Sequence, residues 1–341
     1  MRLALGLASG VRTHTAPNPW VGCVLVAGDG RVVGKGATAP PGGAHAEAAA
    51  LEAAGPDAKG ATAYVTLEPC AHHGRTPPCA VALASAGVRR VVVAVADPDE
   101  RVSGRGLARL EAAGVDVELG VLASEVGACL APYLHHRRTG RPYVVLKLAA
   151  TIDGRIAAPD LSSRWITGPE AREDVQRLRA ESDAVLVGAG TVRADDPRLT
   201  VRPADGRAPI RQPLRVVLGR APEDAAVLPA LELSGDVRAV LDELGRRGVL
   251  QLLVEGGSTV AASFHRLGLV DCYVVYLAPA LLGGDDGVPM FSGSGAATIS
   301  QLWRGRLEAV TRLGDDVRLV VVPPSTGDEV RFESRDQLSD R

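Results

Sequence analysis

Nowhere in this 341-residue chain do 18 apolar residues follow one another, so the sequence contains no candidate membrane span. Neither sign of charge dominates: 38 basic and 40 acidic residues intermix to a formal net charge of −2. That balance excludes the basic stripe expected of a nucleic-acid-binding surface. Lysine is scarce, with Lys35, Lys59 and Lys147 the only three, which reads as coding bias as much as function. The opening Met1-Arg2-Leu3-Ala4-Leu5-Gly6-Leu7-Ala8 lacks the extended apolar core and cleavage site of a secretory signal and reads as a helix. Five cysteines, an odd number without regular spacing, argue against a disulfide framework and for a reducing, cytoplasmic setting. No internal repeat is visible.

What is present suits two domains. Apolar residues make up 46% of the chain, enough for real cores, and the length exceeds one ordinary domain. Residues 1–140 alternate helix and strand signals. A hairpin is predicted around Gly28-Asp29-Gly30, a helix over His45–Ala54 stopped by Gly55-Pro56, a strand over Ala61–Thr66 and a helix opened by Thr76-Pro77-Pro78. The strand Arg90–Ala96, the helix Gly106–Ala113 and the strand Val115–Leu119 follow, giving a layered α/β domain. A boundary falls near Arg137-Arg138-Thr139-Gly140-Arg141-Pro142. Residues 141–324 form the second α/β domain, with strands at Tyr143–Ala149, Ala184–Gly188, Leu214–Leu218, Leu250–Val254, Cys272–Ala278 and Arg318–Val322. Helices are predicted at Glu170–Ala180, Gly235–Arg246 and Thr259–Arg266. Residues 325–341 are polar, have little to bury and read as a disordered tail.

The chemistry is concentrated in His45-Ala46-Glu47, Pro69-Cys70 and Cys79. One imidazole and two thiols are a zinc ligand set that leaves the fourth position for water, and zinc lowers the pKa of that water from about 15.7 toward about 7. In zinc deaminases His-x-Glu and Pro-Cys-x-x-Cys do this work, with the Glu moving protons instead of ligating. Glu47 takes that role here. His45 and Glu47 are expected in the first turn of one helix and Cys79 in the first turn of another, where the helix dipole favours a thiolate. The alternative is a structural zinc closed by His72 or His73. Pocket lining is the preferred reading of those two histidines, because a closed site would lose its reactive water.

Eight residues separate Cys70 from Cys79 instead of two. Thr66-Leu67-Glu68-Pro69-Cys70-Ala71-His72-His73-Gly74-Arg75-Thr76-Pro77-Pro78-Cys79 resembles the long cysteine spacer of the riboflavin-biosynthesis bifunctional deaminase–reductases. Pro17-Asn18-Pro19-Trp20-Val21-Gly22 resembles their N-terminal motif, which implies that Asn18 faces the pyrimidine; simple turn chemistry is the other reading. Thr38 stands where the family usually has a further histidine.

In the second half, Lys147-Leu148-Ala149-Ala150-Thr151-Ile152-Asp153-Gly154-Arg155, Ser163-Arg164-Trp165-Ile166-Thr167-Gly168 and Val254-Glu255-Gly256-Gly257 resemble the reductase domain of the same family. So do Thr191 and the run from Asp195 to Arg202. The resemblance implies a cytidine-deaminase-like three-layer domain followed by a dihydrofolate-reductase-like domain. It further implies substrate contacts from Ser163, Arg179, Leu199, Arg202 and Glu255, and NADPH contacts from Ala149, Trp165, Thr191, Asp195, Gly256 and Gly257. Physically, the glycines after a strand and before a helix let the backbone approach a phosphate, although strand–Gly–helix turns are common without one. Arg179 and Arg202 have the chemistry to clamp a ribose phosphate. Asp153 reads equally well as turn chemistry. Between Leu218 and Leu250 only about one helix of sequence is present, where the family carries a strand–helix–strand stretch, and Gly219-Arg220 replaces its usual acidic residue.

The expected function is therefore zinc-dependent deamination of a phosphorylated diaminopyrimidine, then NADPH-dependent reduction of its ribosyl group, by an enzyme that binds neither nucleic acid nor membrane; a homo-oligomer is compatible with the sequence, which does not specify the oligomeric state. Two rivals remain at this point. One is a zinc deaminase of another base; the near-neutral charge disfavours tRNA and the long spacer disfavours all such substrates. The other is an active deaminase joined to a degenerate binding or assembly module.

Overall fold

The computed structural model describes residues 1–72, 77–203, 206, 209 and 211–324. His73 and the polar tail from residue 325 lie outside the described residues. The chain divides into two compact units, the first Met1–Gly140 and the second beginning at Arg141.

In the first unit α1 (Arg2–Gly10) precedes the hairpin β1 (Gly22–Val26) and β2 (Val32–Ala37). There follow α2 (Ala46–Ala54), β3 (Thr62–Leu67), α3 (Cys79–Ser85), β4 (Arg90–Val95), α4 (Arg105–Ala112), β5 (Asp116–Leu119) and α5 (Ala123–Thr139). The sheet order is β2-β1-β3-β4-β5, antiparallel through the hairpin and parallel from β3 to β5. Because side chains alternate across a strand, Gly22 and Cys23 open onto opposite faces. Helix α1 lies on the Gly22 face and α2 on the face of Gly36, the partner of Cys23. A Cβ at Gly36 would stand 2.1 Å from the Ala46 carbonyl oxygen. Its absence lets α2, the helix that follows His45 and carries Glu47, lie directly on the hairpin. The 17-residue α5 was not predicted from the sequence. Pro132 is buried along with Val126, Leu130, Tyr133 and Leu134, and an interior proline ordinarily argues against a helix.

The second unit runs β6 (Tyr143–Thr151), β7 (Arg155–Ala157), α6 (Pro169–Glu181), β8 (Ala184–Gly188), α7 (Ala189–Asp195), β9 (Leu214–Leu218), β10 (Leu231–Leu233) and α8 (Val237–Arg246). It continues with β11 (Gln251–Val254), α9 (Ser258–Arg266), β12 (Cys272–Ala278), β13 (Val288–Pro289), β14 (Arg306–Leu313) and β15 (Asp316–Val322). Eight strands form one sheet in the order β10-β9-β8-β11-β6-β12-β15-β14, and β7 pairs with β13 apart from it. The strands from β10 to β12 are parallel and the last two antiparallel. Parallel strands covered on both faces read as continuous apolar runs. Val144, Leu146 and Leu148 of β6 pack with α8 and α9 on one side, and Val145 packs with α6 on the other.

The expectation of a single helix between Leu218 and Leu250 is corrected here. The stretch also supplies β10, pairing residue for residue with Val216–Leu218 of β9. Three residues between turns are too few to give a periodic signal, so the strand could not be read from the sequence.

Candidate active sites

His45 is the N-cap of α2 and Cys79 the first residue of α3. Cys70 leaves the end of β3. His45 Nδ1 lies 3.3 Å from Cys79 Sγ and 3.7 Å from Cys70 Sγ, and the three ligand atoms fall within 4.8 Å of one another. Zinc bonds of about 2.0 Å to nitrogen and about 2.3 Å to sulfur, set tetrahedrally, require N···S separations of about 3.5 Å. The donor set fits the ion. The backbone holds it in place: the Cys79 N–H donates to Cys70 Sγ at 3.2 Å and the Ala80 N–H to the Cys70 carbonyl at 3.2 Å. His72 is exposed and does not belong to the ligand group found among the described residues.

Glu47, in the first turn of α2, is 4% exposed. Burial pushes its carboxyl up to about 7, with the neighbouring Cys70 charge adding to the effect. Between the touching thiols, the hydrogen bond from Cys79 holds Cys70 down to about 4, and the same contact raises Cys79. Asn18 is half-buried, its N–H donating to the Thr15 carbonyl at 2.8 Å. Thr38 is buried and its hydroxyl accepts the Val21 N–H at 3.0 Å. Thr38 thus braces the backbone just before β1, beside the Asn18 loop.

The second constellation gathers at the C-terminal ends of the parallel strands. Glu255 follows β11 and receives a two-pronged bond from Arg179 of α6, Nε to Oε1 at 2.6 Å and Nη2 to Oε2 at 3.0 Å. Arg179 Nη1 donates to the Thr200 carbonyl at 3.3 Å, so each nitrogen of the guanidinium already has an acceptor. Lys147 Nζ, from the middle of β6, approaches Glu255 Oε2 at 3.9 Å. Burial would raise the Glu255 carboxyl, but Arg179 and Lys147 outweigh it and hold the group below its ordinary value. Burial lowers Lys147 despite the charge of Glu255. Lys147 was read only as part of a strand. A lysine amid an apolar β run, in a chain with three lysines, was the signal available.

The other expected reductase residues fall into smaller groups. Thr191 of α7 accepts the Gly257 N–H at 3.1 Å, joining the two glycine turns. Ser163 Oγ donates to Asp195 Oδ1 at 3.4 Å, and Arg164 donates to the Asp195 carbonyl. Trp165 is 70% exposed, with the Arg172 guanidinium 4.7 Å from its ring centre. Ala149 pairs with Tyr276 between β6 and β12. Leu199 is buried with a φ of +53°. Arg202 is exposed, its N–H donating to Gln176 Oε1 at 2.8 Å. Asp153 accepts the Thr151 hydroxyl and the N–H groups of Leu282 and Gly283, which ties two loops together.

A family model described as the cytidine and deoxycytidylate deaminase zinc-binding region matches residues 1–95, and one described as the RibD C-terminal domain matches residues 142–319. The chain is 46% identical over 330 residues to riboflavin biosynthesis protein RibD of Mycobacterium tuberculosis, covering 94% of this chain and 96% of that protein. It is 44% identical over 324 residues to RibD of Escherichia coli, covering 84% and 88%. A solved structure of RibD from Acinetobacter baumannii matches with a TM-score of 0.87 at 39% identity, covering 95% of this chain and 97% of that one. A diaminohydroxyphosphoribosylaminopyrimidine deaminase/5-amino-6-(5-phosphoribosylamino)uracil reductase from Thermotoga maritima matches with a TM-score of 0.85 at 34% identity, covering 95% and 97%.

Proposed function

We propose how individual residues divide two reactions, on the premise that this chain belongs to the RibD family of riboflavin-biosynthesis deaminase–reductases. It is a bifunctional enzyme with a cytidine-deaminase-like domain followed by a dihydrofolate-reductase-like one. The first deaminates 2,5-diamino-6-ribosylamino-4(3H)-pyrimidinone 5′-phosphate with zinc, and the second reduces the ribosyl group of the product to ribityl with NADPH.

The observation that carries the deaminase assignment is the convergence of His45, Cys70 and Cys79 within 4.8 Å, beside a buried glutamate. These three residues hold the zinc, whose chemistry when bound is the activation of water at neutral pH. Glu47 lies against Cys79 and carries protons between the attacking water and the departing amine without taking a ligand position. Asn18 holds the pyrimidine. The division of residues 1–140 from 141–324 follows the two chemistries.

In the reductase half, NADPH supplies the hydride when bound. Ala149, Trp165, Thr191, Asp195 and the Gly256-Gly257 turn bind it. The glycine turns and the start of α9 present backbone N–H groups suited to phosphate. Ser163, Leu199, Arg202 and Glu255 face the substrate, and Arg179 orients Glu255. Lys147 joins them, placing a cation beside that carboxylate. The exposed guanidinium of Arg202 suits the ribose phosphate better than the engaged one of Arg179.

The free cysteines among the described residues support a reducing, cytoplasmic setting. The balanced charge supports a small-molecule substrate over nucleic acid, and no described helix is long and apolar enough to cross a membrane. The test is direct. Purified protein given the diaminopyrimidine phosphate should release ammonia. Given the deaminated intermediate and NADPH, it should oxidise the cofactor, followed as loss of the reduced nicotinamide's absorbance. Ammonia release without loss of absorbance at saturating cofactor would favour a degenerate C-terminal module.

A further inference from the structure

Glu68 is buried at 4% exposure, two residues before Cys70, and no cation neutralises it in any ion pair found among the described residues. Backbone amides surround it instead. Its Oε1 accepts the N–H of Gly106 at 2.9 Å and of Leu107 at 3.4 Å. Its Oε2 accepts the N–H of Gly104 at 3.0 Å and of Asp97 at 3.2 Å. Two carboxylate oxygens offer about four acceptor sites, and all are taken. Gly104, the N-cap of α4, has no side chain with which to cap the helix, so β3 supplies the capping carboxylate from outside.

This arrangement reaches the metal ligands through three further contacts. The first turn of α4 lies against the loop that carries Cys70, so closely that a Cβ at Gly106 would meet the Pro69 carbonyl oxygen at 2.0 Å. Arg109 Nη1, one turn along α4, donates to the Ala71 carbonyl at 3.3 Å. The Glu68 N–H donates to the Val95 carbonyl at 3.0 Å, fixing the end of β3 to β4. Pro69, Cys70 and Ala71 are therefore held by α4 and β4 as well as by the first turn of α3.

We propose that Glu68 is a positioning residue for the metal site: by gathering four N–H groups it locks α4 against residues 69–71 and sets Cys70 Sγ in place before the ion binds. The proposal rests on His45, Cys70 and Cys79 being the zinc ligands. An amide at this position turns an NH₂ toward N–H donors, so Glu68→Gln breaks at least one pair of bonds while keeping shape and volume.

The experiment uses the full chain stripped of metal and titrated with Co(II), following the thiolate–cobalt bands and measuring affinity by competition with a chelator. Glu68→Gln should weaken binding by about 10–100-fold and alter the cobalt spectrum, while the circular dichroism of the metal-free chain matches the wild type, showing that the first unit is folded, and NADPH oxidation on the deaminated intermediate stays at the wild-type rate. A folded Glu68→Gln with wild-type affinity and spectrum overturns the proposal. Should that variant fail to fold, Arg109→Ala carries the test, since it removes only an exposed side chain; affinity should fall about two- to tenfold, and an unchanged affinity overturns the proposal equally. Wild-type protein that takes up no cobalt would instead sink the ligand assignment, and this inference with it.

Discussion

Two glutamates near Cys70 are buried to the same 4% for opposite physical reasons. The carboxylate of Glu68 is saturated by backbone donors, whereas burial raises the Glu47 carboxyl toward neutrality. A group that exchanges a proton during a reaction needs the second environment. Glu47→Gln is therefore expected to lower ammonia release by about 10²–10⁴-fold while the protein keeps its zinc, as checked by metal analysis of the same sample. The cluster of His45, Cys70 and Cys79 could be anticipated from the sequence because ligand chemistry tolerates few residue types. Glu255 was reachable only by resemblance, and Lys147 was passed over, because the ion pair that joins them depends on a contact between β6 and the end of β11 that no local spacing encodes. Glu255→Gln leaves Arg179 and Lys147 facing a neutral amide. It should cost the second unit about 3–5 kcal/mol of unfolding free energy, measured by urea titration, and should depress NADPH oxidation without touching ammonia release.

Helices and strands with unbroken patterns were recovered closely. The strands Ala184–Gly188, Leu214–Leu218 and Cys272–Ala278 lie where the apolar runs predicted them, since a parallel strand buried on both faces has an uninterrupted signature. The edge strand β14 was missed because Arg306, Glu308, Thr311 and Arg312 break any such run and most of its residues are exposed. Its partner β15 carries Arg318, whose Nη1 donates to both oxygens of Asp174 on α6 at 2.8 and 2.9 Å. The Tyr276 hydroxyl of β12 donates to the same carboxylate at 2.6 Å. One acidic side chain thus ties a helix to two strands. Burial would raise the Asp174 carboxyl, but the bonds from Tyr276, Arg177 and Arg318 prevail and hold it below its ordinary value. A carboxyl depressed in the folded state stabilises above its unfolded pKa, about 3.9, and that contribution fades as pH falls through the lower folded value. Acid unfolding followed by circular dichroism should therefore show Asp174→Asn losing less stability between pH 5 and pH 2, values spanning the carboxylate range, than the wild type loses. At neutral pH the same variant should be the less stable of the two. Equal pH slopes for the two proteins would remove Asp174 from the account.

Each of the two units has its own sheet, and the three proposed metal ligands all belong to the first. That division was visible in the sequence as a change from a charged Arg-Arg-Thr-Gly-Arg-Pro segment to a new apolar strand. The length of the cysteine spacer did more for the assignment than composition could, because it separates this family from deaminases with two intervening residues. What the sequence withheld was coupling across strands, as at Glu255, and support from behind the ligands, as at Glu68. A ligand that binds only the folded form stabilises it by RT ln(1 + [L]/Kd), about 4 kcal/mol at a thousandfold excess over Kd. Zinc should act on the first unit alone. Removing it with a chelator is expected to abolish ammonia release, leave NADPH oxidation on the deaminated intermediate at its original rate, and lower one calorimetric transition while the other stays fixed. Restoring zinc should return both the activity and the displaced transition. A parallel loss of reductase activity on chelation would show that the metal supports more of the chain than the unit that binds it.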